Sequence, residues 1–134
     1  MEFDRNGYSC FKIIPEVRTQ MLKEHPAKYD KVFADHVTHQ FGIPYIEYLE
    51  LQTLFPVPVD TYGYIDSGDG LECWLVSVDG EKIRPDGKLY HITWSLDPKK
   101  YKPVMSNNLI ASQDYEKMSM TERLAANYTF VPTR

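Results

Sequence analysis

The stretch that decides the fold is residues 89–96, LYHITWSL. Aromatic and β-branched side chains dominate it, which is typical of a β-strand. Because successive side chains of a strand point to opposite faces, the stretch separates into two sets. One face carries Leu89, His91, Thr93 and Ser95, and the other carries Tyr90, Ile92, Trp94 and Leu96. The second set predicts a buried layer, whereas the first presents an imidazole beside a hydroxyl.

A similar pattern occurs earlier, over residues 33–41, FADHVTHQF. Read as a strand, it predicts one face with His36, Thr38 and Gln40, and an opposite face with Phe33, Val37 and Phe41. The motif His-x-Thr therefore occurs twice, at 36–38 and at 91–93, once in each half of the chain. We expect His39 to be a structural histidine that pairs with Asp35.

Short elements fill the rest of the chain. Residues 8–14 predict a strand, and Pro15 predicts the start of a helix that ends before Pro26, because proline suits the first helical position. The further expectations are a short helix over 45–54, strands over 59–66 and 71–78, glycine-bearing turns at 67–70, 79–80 and 85–87, a short helix from Ser119 to Ala126, and a last strand over 128–132. Strands outnumber helices, so the fold class is predicted to be α+β in a single domain, residues 1–134.

Composition excludes several classes of protein. The 134 residues include 15 Lys+Arg and 19 Asp+Glu, a formal charge of −4, and a coat for long duplex nucleic acid needs a basic face. No apolar run approaches the ~18 residues of a membrane span, and the first residues lack a secretion signal, so we expect a cytoplasmic protein. Cys10 and Cys73 form no CxxC pattern and are expected to be buried in strands.

The paired motifs suit displacement at phosphorus. One neutral imidazole can take a proton from the nucleophile while a protonated one gives a proton to the leaving oxygen. The hydroxyls of Thr38 and Thr93, two residues beyond His36 and His91, can donate to nonbridging phosphate oxygens. If the two strands lie side by side, these four groups surround one phosphate, and we expect neither a metal nor a cofactor.

His36-Val37-Thr38 and His91-Ile92-Thr93-Trp94 resemble the paired H-x-[ST]-x motifs of the two-histidine (2H) phosphoesterase superfamily. The family includes bacterial RNA cyclic phosphodiesterases once called 2′-5′ RNA ligases and phage enzymes that degrade cyclic oligonucleotide alarm signals. The resemblance implies a bilobal fold, in which two pseudo-symmetric antiparallel sheet halves with short flanking helices each give one motif to a central cleft. One departure is His39, at a position that is usually apolar in the family.

The resemblance also implies a function. The implied function is that of a phosphodiesterase, and its substrate would be a cyclic nucleotide, a cyclic oligonucleotide or a short RNA end. The linkage that is cut, the bases of the substrate and the oligomeric state of the protein stay open. The catalytic residues would be His36, Thr38, His91 and Thr93, with either histidine as the base. Weaker expectations for substrate binding fall on Tyr8, Trp94, Lys100, Lys102 and Ser106. A phage-encoded enzyme of this kind would act inside its host cell.

Two alternatives stay open from the residues alone. One is a non-catalytic module that binds a nucleotide or a protein on the same scaffold. The other is a zinc site that uses His36 and His39, for which a strand is the wrong geometry, because it sends the two rings to opposite faces. The sequence also has no CxxC or HExxH pattern that would complete such a site.

Overall fold

The fold is described by a computed structural model that covers residues 6–44, 49, 56–112, 116–117 and 122–132. The strands are β1 (Asn6–Ile13), β2 (Lys31–Val32), β3 (His36–Pro44), β4 (Val57–Asp66), β5 (Leu71–Val78), β6 (His91–Leu96), β7 (Glu116–Lys117) and β8 (Arg123–Pro132). The helices are α1 (Pro15–Glu24) and α2 (Ser106–Ser112), the latter preceded by a 3-10 turn at Pro103–Met105. The helix expected over 45–54 lies outside the described residues, apart from position 49.

The strands form one antiparallel sheet in the order β2-β6-β5-β4-β8-β1-β3, with β7 paired to β4. This arrangement, with two helices in the described ranges, confirms the predicted α+β class. No helix in the described part of the chain is both long and apolar enough to cross a membrane.

The sheet curls until β3, at one end of the order, lies beside β6, near the other. The segment before β3 makes the link, since the Phe33 amide donates to the Trp94 carbonyl at 3.0 Å and the Ala34 amide to the Thr93 carbonyl at 2.9 Å. The two strands that carry the His-x-Thr motifs are thereby neighbours in space, although 55 residues separate their histidines (91 − 36).

One face of the curled sheet holds the main core. Side chains of six strands pack there, together with Met21 of α1 and Tyr90, which directly precedes β6. The strand residues are Phe11, Ile13, Val37, Val59, Trp74, Val76, Ile92, Trp94, Leu124, Ala126 and Tyr128. A smaller cluster of Ile65, Cys73 and Leu75 forms separately and packs against Leu109 and Ile110 of α2. The expected buried layer of Tyr90, Ile92 and Trp94 is confirmed, as is the burial of Cys10 and Cys73.

Helix α1 matches its prediction. Pro15 occupies its first turn, and His25 caps its last turn through an amide that donates to the Met21 carbonyl at 2.8 Å. Val17 and Leu22 flank Met21 against the core. The turn at Asp79–Gly80 is also confirmed, with φ of 48° and 85° respectively, backbone values that an Asp-Gly pair adopts readily.

The strand expected over 33–41 begins later than predicted. Ala34 adopts a φ of 49°, which breaks the extended chain, so β3 starts at His36 and Phe33 is not part of it. A register shift opposite Ser9 and Cys10 leaves His39 as an extra residue in β3. The predicted alternation therefore fails after Thr38, because a β-bulge reverses which face the following residues occupy.

A second bulge lies in β6. Thr93 pairs with Cys73, but Ser95 pairs with Glu72, so Trp94 is the extra residue. The Ser95 hydroxyl donates to the Glu72 carboxylate and accepts from the Tyr29 amide at 3.0 Å. Ser95 therefore does not share the face of His91 and Thr93, which corrects the prediction.

The helix expected from Ser119 to Ala126 is also wrong over its described residues. Arg123 to Ala126 belong to β8 and pair with β4, where Leu124 and Ala126 reach the core at every second position. Glu122 exchanges hydrogen bonds with Thr61 of β4 instead of capping a helix: its amide donates to the Thr61 hydroxyl at 3.0 Å, and its carbonyl accepts from the Thr61 amide at 3.0 Å. Burial of every second side chain thus favours a strand here, although the spacing of Ser119 and Glu122 is typical of a helix start.

Candidate active site

A cleft of about 480 Å³ opens where β3 and β6 meet, and all four motif residues line it: His36, Thr38, His91 and Thr93. In each strand the histidine and the threonine are two positions apart, so they share the face that points into the cleft. The structure thus meets the condition under which the four motif groups surround one space, which is that their two strands lie side by side. The cleft lies within the range of volumes that is typical of sites for small ligands.

His36 is anchored through its Nδ1 atom. Nδ1–H donates to the Asp35 carboxylate at 2.7 Å, so Nε2 is the ring nitrogen that Asp35 does not engage. Burial acts to raise the pKa of Asp35, but its hydrogen bond to His36 and the charges of His36, Arg18 and Lys12 outweigh that effect, and the pKa is lowered. Asp35 is therefore a carboxylate at neutral pH, where it fixes the ring and balances the charge of an imidazolium. The expectation that Asp35 pairs with His39 was wrong.

His91 has a different environment. It is 9% exposed, and its Nδ1–H donates to the Leu89 carbonyl at 3.0 Å, so Nε2 accepts protons when the ring is neutral. Burial is the main cause that lowers the pKa of His91; the charges of Arg84 and His36 act in the same direction, whereas the bond to Leu89 opposes them. His91 is therefore the histidine that the fold favours in its neutral form.

Thr93 is positioned from α2. Its hydroxyl shares a hydrogen bond of 2.8 Å with the hydroxyl of Ser106, the first residue of that helix, which is fully buried. Ser106 was expected to bind substrate, but the structure places it behind Thr93 and not among the residues that line the cleft. It acts on the site through the orientation of the Thr93 hydroxyl.

Arg84 is a member of the cleft wall that the sequence reasoning missed. Its side chain is only 2% exposed, and two of its nitrogens donate to Asp86, Nε at 3.1 Å and Nη2 at 2.6 Å. The sequence marks Arg84 only by its position, directly before a Pro-Asp-Gly turn and seven residues before His91. A turn of that kind alone does not show that its arginine faces a cleft.

The remaining wall is aromatic and apolar with two polar contributors. Tyr8, which was expected to contact substrate, lines the cleft and has its ring centroid 6.4 Å from that of His36. Phe33 lines it as well, although the sequence assigned it to the reverse face. Lys102 lines it as expected, and Asn107 of α2 joins it.

Two expected substrate contacts lie elsewhere. Trp94 is 1% exposed within the main core, where its indole Nε1–H donates to the His25 carbonyl at 3.0 Å. The Lys100 ammonium donates to the Asp69 carbonyl at 3.4 Å, and Lys100 does not line the cleft. The loop of lysines after β6 therefore contributes one side chain, Lys102, to the site.

His39 and His25 have structural surroundings. The His39 Nδ1 atom is hydrogen-bonded to the hydroxyls of Ser9 at 2.8 Å and Tyr128 at 3.2 Å. His25 is bonded through Nε2 to the Glu122 carboxylate at 2.6 Å. Among the described residues, the group with metal-ligand side chains is that same His25 with Glu24 and Glu122, and it shares no residue with the cleft.

No protein-family model, curated protein or solved structure matches this chain. The features that bear on function are therefore the residues of the cleft and the resemblance of its two motifs.

Proposed function

We propose that the chain is a phosphodiesterase of the two-histidine type, which cleaves a nucleotide phosphodiester by acid/base catalysis. The observation that carries the proposal is that both His-x-Thr motifs line one cleft. One of the two imidazoles is bonded to a carboxylate, and the other is buried and bonded to a backbone carbonyl. Two imidazoles and two hydroxyls around one space match the needs of displacement at phosphorus.

In this reaction His91 is the base. Its Nε2 takes a proton from water or from the ribose hydroxyl next to the linkage, and the oxygen then forms a bond to phosphorus. Two features favour the role: burial keeps the ring neutral, and the bond from Nδ1–H to the Leu89 carbonyl leaves Nε2 as the basic atom. The proton that His91 gains is returned to solvent after the reaction.

His36 is the acid. Its protonated Nε2 gives a proton to the oxygen that leaves phosphorus as that bond breaks. The Asp35 carboxylate at 2.7 Å from Nδ1 holds the ring in place and compensates its positive charge, as a carboxylate does beside other catalytic histidines. The hydroxyls of Thr38 and Thr93 donate to the nonbridging oxygens as charge grows on them.

The proposed substrates are those that the motif resemblance implies. One class is a 2′,3′-cyclic phosphate opened by water, and the other is a 3′-5′ or 2′-5′ linkage in a short or cyclic oligonucleotide. The neighbouring ribose hydroxyl attacks this linkage, the 2′-hydroxyl for a 3′-5′ linkage and the 3′-hydroxyl for a 2′-5′ linkage. Such substrates occur in the cytoplasm, or in an infected host cell. The bilobal pseudo-symmetric arrangement of the family is part of this proposal, with β3 and β6 as the strands that each carry one motif.

The donor set of the cleft favours catalysis without a metal. Of the described residues that line it, two are histidines and none is a carboxylate or a cysteine. Zinc in proteins takes three or four such ligands, so this lining falls short of a zinc site.

Turnover of a defined panel tests the proposal. Nucleoside 2′,3′-cyclic phosphates, cyclic dinucleotides, cyclic trinucleotides and 2′-5′ and 3′-5′ dinucleotides are incubated with the protein in EDTA, and products are separated by chromatography. We expect cleavage of at least one class, with His36→Ala and His91→Ala inactive on it. If wild type leaves the whole panel intact but binds a member, the chain is a binding module. Cleavage only after zinc is added would contradict metal-independent catalysis.

A further inference from the structure

A second pocket lies apart from the cleft, and most of its wall consists of aromatic and aliphatic side chains. Its volume is about 240 Å³, and among the described residues it shares no lining residue with the cleft. We call it the ring pocket, and its described lining residues are Phe11, His39, Val57, Val78, Asp79, Glu81, Tyr90 and Tyr128. Pockets for drug-sized ligands occupy ~300–1,000 Å³, so the ring pocket suits a smaller molecule.

Four rings of this wall contact one another. The centroid of Phe11 lies 5.3 Å from that of His39 and also 5.3 Å from that of Tyr128. The rings of His39 and Tyr90 are stacked, with centroids 6.4 Å apart. Burial raises the pKa of Tyr90 to about 12 and lowers the pKa of His39, so both rings are uncharged at neutral pH. The wall therefore presents neutral π systems that core packing holds in place.

Two exposed carboxylates, Asp79 and Glu81, complete the ring pocket. The turn at Asp79–Gly80 positions them, because the Val78 amide donates to the Glu81 carbonyl at 2.7 Å and the Glu81 amide donates to the Val78 carbonyl at 2.9 Å. Within the described ranges, neither carboxylate forms an ion pair or a side-chain hydrogen bond. Their negative charges therefore have no protein partner beside the neutral rings.

The charge of the ring pocket selects its ligand. The part of the lining that the structure describes contains two carboxylates and no lysine or arginine. The charge of Arg84 reaches His39, but its guanidinium is 2% exposed and donates to Asp86 through two nitrogens, so a carboxylate compensates it. Rings and carboxylates both attract a cation, the rings through the negative potential of their π faces.

We propose that the ring pocket binds a small alkylammonium cation, with its alkyl groups against the rings and its charge beside Asp79 and Glu81. The alkyl groups suit an apolar wall, and the carboxylates offset the free energy that the charge loses on leaving water. The inference does not depend on the proposed function, because the pocket and the cleft have no described residue in common. Two sources share this chemistry, a quaternary ammonium compound such as choline and a polyamine such as putrescine.

A matched pair of ligands separates attraction of a cation from apolar binding. The affinity of choline is compared by NMR titration, at fixed ionic strength, with that of 3,3-dimethylbutan-1-ol, the neutral analogue in which carbon replaces the nitrogen. We expect wild type to bind choline about 5- to 30-fold more tightly, which corresponds to about 1–2 kcal/mol. Putrescine is titrated in the same way, and the tighter of the two cations identifies the source.

Variants locate the cation in the ring pocket. Glu81→Gln and Asp79→Asn should each weaken binding of the tighter cation about 2- to 5-fold, and the double variant about 5- to 20-fold, while the neutral alcohol binds as before. Asparagine tolerates the φ of 48° at position 79. Asp30→Asn is the matched control, because Asp30 is exposed and is absent from the described lining of the pocket. It should keep the wild-type affinity. Phe11→Leu removes one ring and should weaken the cation more than the alcohol.

Three results would overturn the inference. The first is that neither choline nor putrescine binds more tightly than the neutral alcohol at millimolar concentrations. The second is wild-type affinity in the double variant, and the third is a loss in Asp30→Asn as large as that in Glu81→Gln, which would be an effect of net charge. If Phe11→Leu does not fold, intermolecular NOEs from the bound cation to the rings of Phe11 and Tyr90 in wild type decide, and their absence would overturn the inference.

Discussion

The two histidines of the cleft differ in their partners, and the roles proposed for them follow from that difference. His36 gives its Nδ1 proton to a carboxylate, whereas His91 gives its own to a backbone carbonyl and is nearly enclosed by protein. An ionised carboxylate compensates an imidazolium, and burial disfavours one. The acid and the base of the proposed reaction are therefore separated by their surroundings, although the two side chains are chemically the same.

The pH dependence of kcat/KM should follow from these roles. Activity rises with pH as His91 loses its proton, and because the pKa of His91 is lowered, that rise should lie on the acid side of the ordinary histidine range. Arg84→Gln removes a charge that lowers the pKa of His91, so it should move the acid limb to higher pH. A profile that is flat between pH 5 and pH 8 would contradict the acid/base pair.

Ser106 should matter through Thr93. Ser106→Ala removes the 2.8 Å hydrogen bond that orients the Thr93 hydroxyl, so kcat should fall about fivefold, the equivalent of about 1 kcal/mol. KM should change little if the hydroxyl acts mainly in the transition state. Ser112→Ala is the control at the other end of α2, where an exposed hydroxyl donates to the Leu109 carbonyl. Equal rates in both variants would show that Ser106 only fills space.

At the scale of elements, the site depends on the break between β2 and β3. Ala34 has a positive φ and is fully buried, and Arg18 of α1 holds the bend. The Arg18 guanidinium donates to the Phe33 carbonyl at 2.9 Å and to the Ala34 carbonyl at 3.1 Å. Because of the bend, Phe33 lies in the cleft wall and Asp35 lies beside His36. Helix α1 thus stabilises the site through Arg18, although the helix does not line the cleft.

Loss of this support should be measurable. Arg18→Gln should lower the free energy of unfolding by about 1–2 kcal/mol, since it removes charge-assisted hydrogen bonds to two carbonyls. It should also lower kcat/KM under conditions where the variant is folded, because Asp35 and His36 follow the bend. Urea denaturation and steady-state kinetics measure the two effects. Lys23→Gln, an exposed change on the same helix, should alter neither. A variant as stable and as active as wild type would refute the positioning role.

Local pattern predicted β1, α1, β4 and β5 well, because their apolar periods, their turns and a helix-starting proline are encoded in neighbouring residues. It failed where geometry depends on cross-strand register. The extra residues at His39 and Trp94 reverse the side-chain alternation beyond them, and nothing in their own sequence marks a bulge. For the same reason, the motif residues His36, Thr38, His91 and Thr93 were found from sequence, whereas Arg84 required the tertiary structure.

For the whole molecule, the curl of the sheet and the burial of histidines have a common consequence for stability. Closing β3 against β6 creates the cleft, and in the folded chain His91 is buried and His39 is half-buried. Burial is the main cause that lowers the pKa of His39, and the charge of Arg84 adds to it. Both rings therefore favour the neutral form in the folded state.

Stability should accordingly fall on the acid side of neutrality. Unfolded histidine has a pKa of about 6.5, so as pH drops below ~7 the unfolded chain takes up protons before the folded one does. The stabilisation is present above that range and is lost as pH falls toward the lowered pKa values. Urea midpoints at pH 7.5 and pH 5 should show the loss, and His39→Gln should reduce it. Ser9→Ala, which removes the hydrogen-bond partner of His39 without removing the ring, should lower stability at both pH values. A pH dependence that is unchanged in His39→Gln would contradict the assignment.

The central claim is that His36 and His91 act together on one phosphodiester. Its most direct test is the rate of His36→Ala, His91→Ala and the double variant on the substrate that wild type cleaves fastest. Each single change should slow cleavage about 10²- to 10⁴-fold, and the double variant should be scarcely slower than the slower single one, because an acid and a base of one step fail as a unit. A single variant that keeps about a tenth or more of the wild-type rate would contradict the claim.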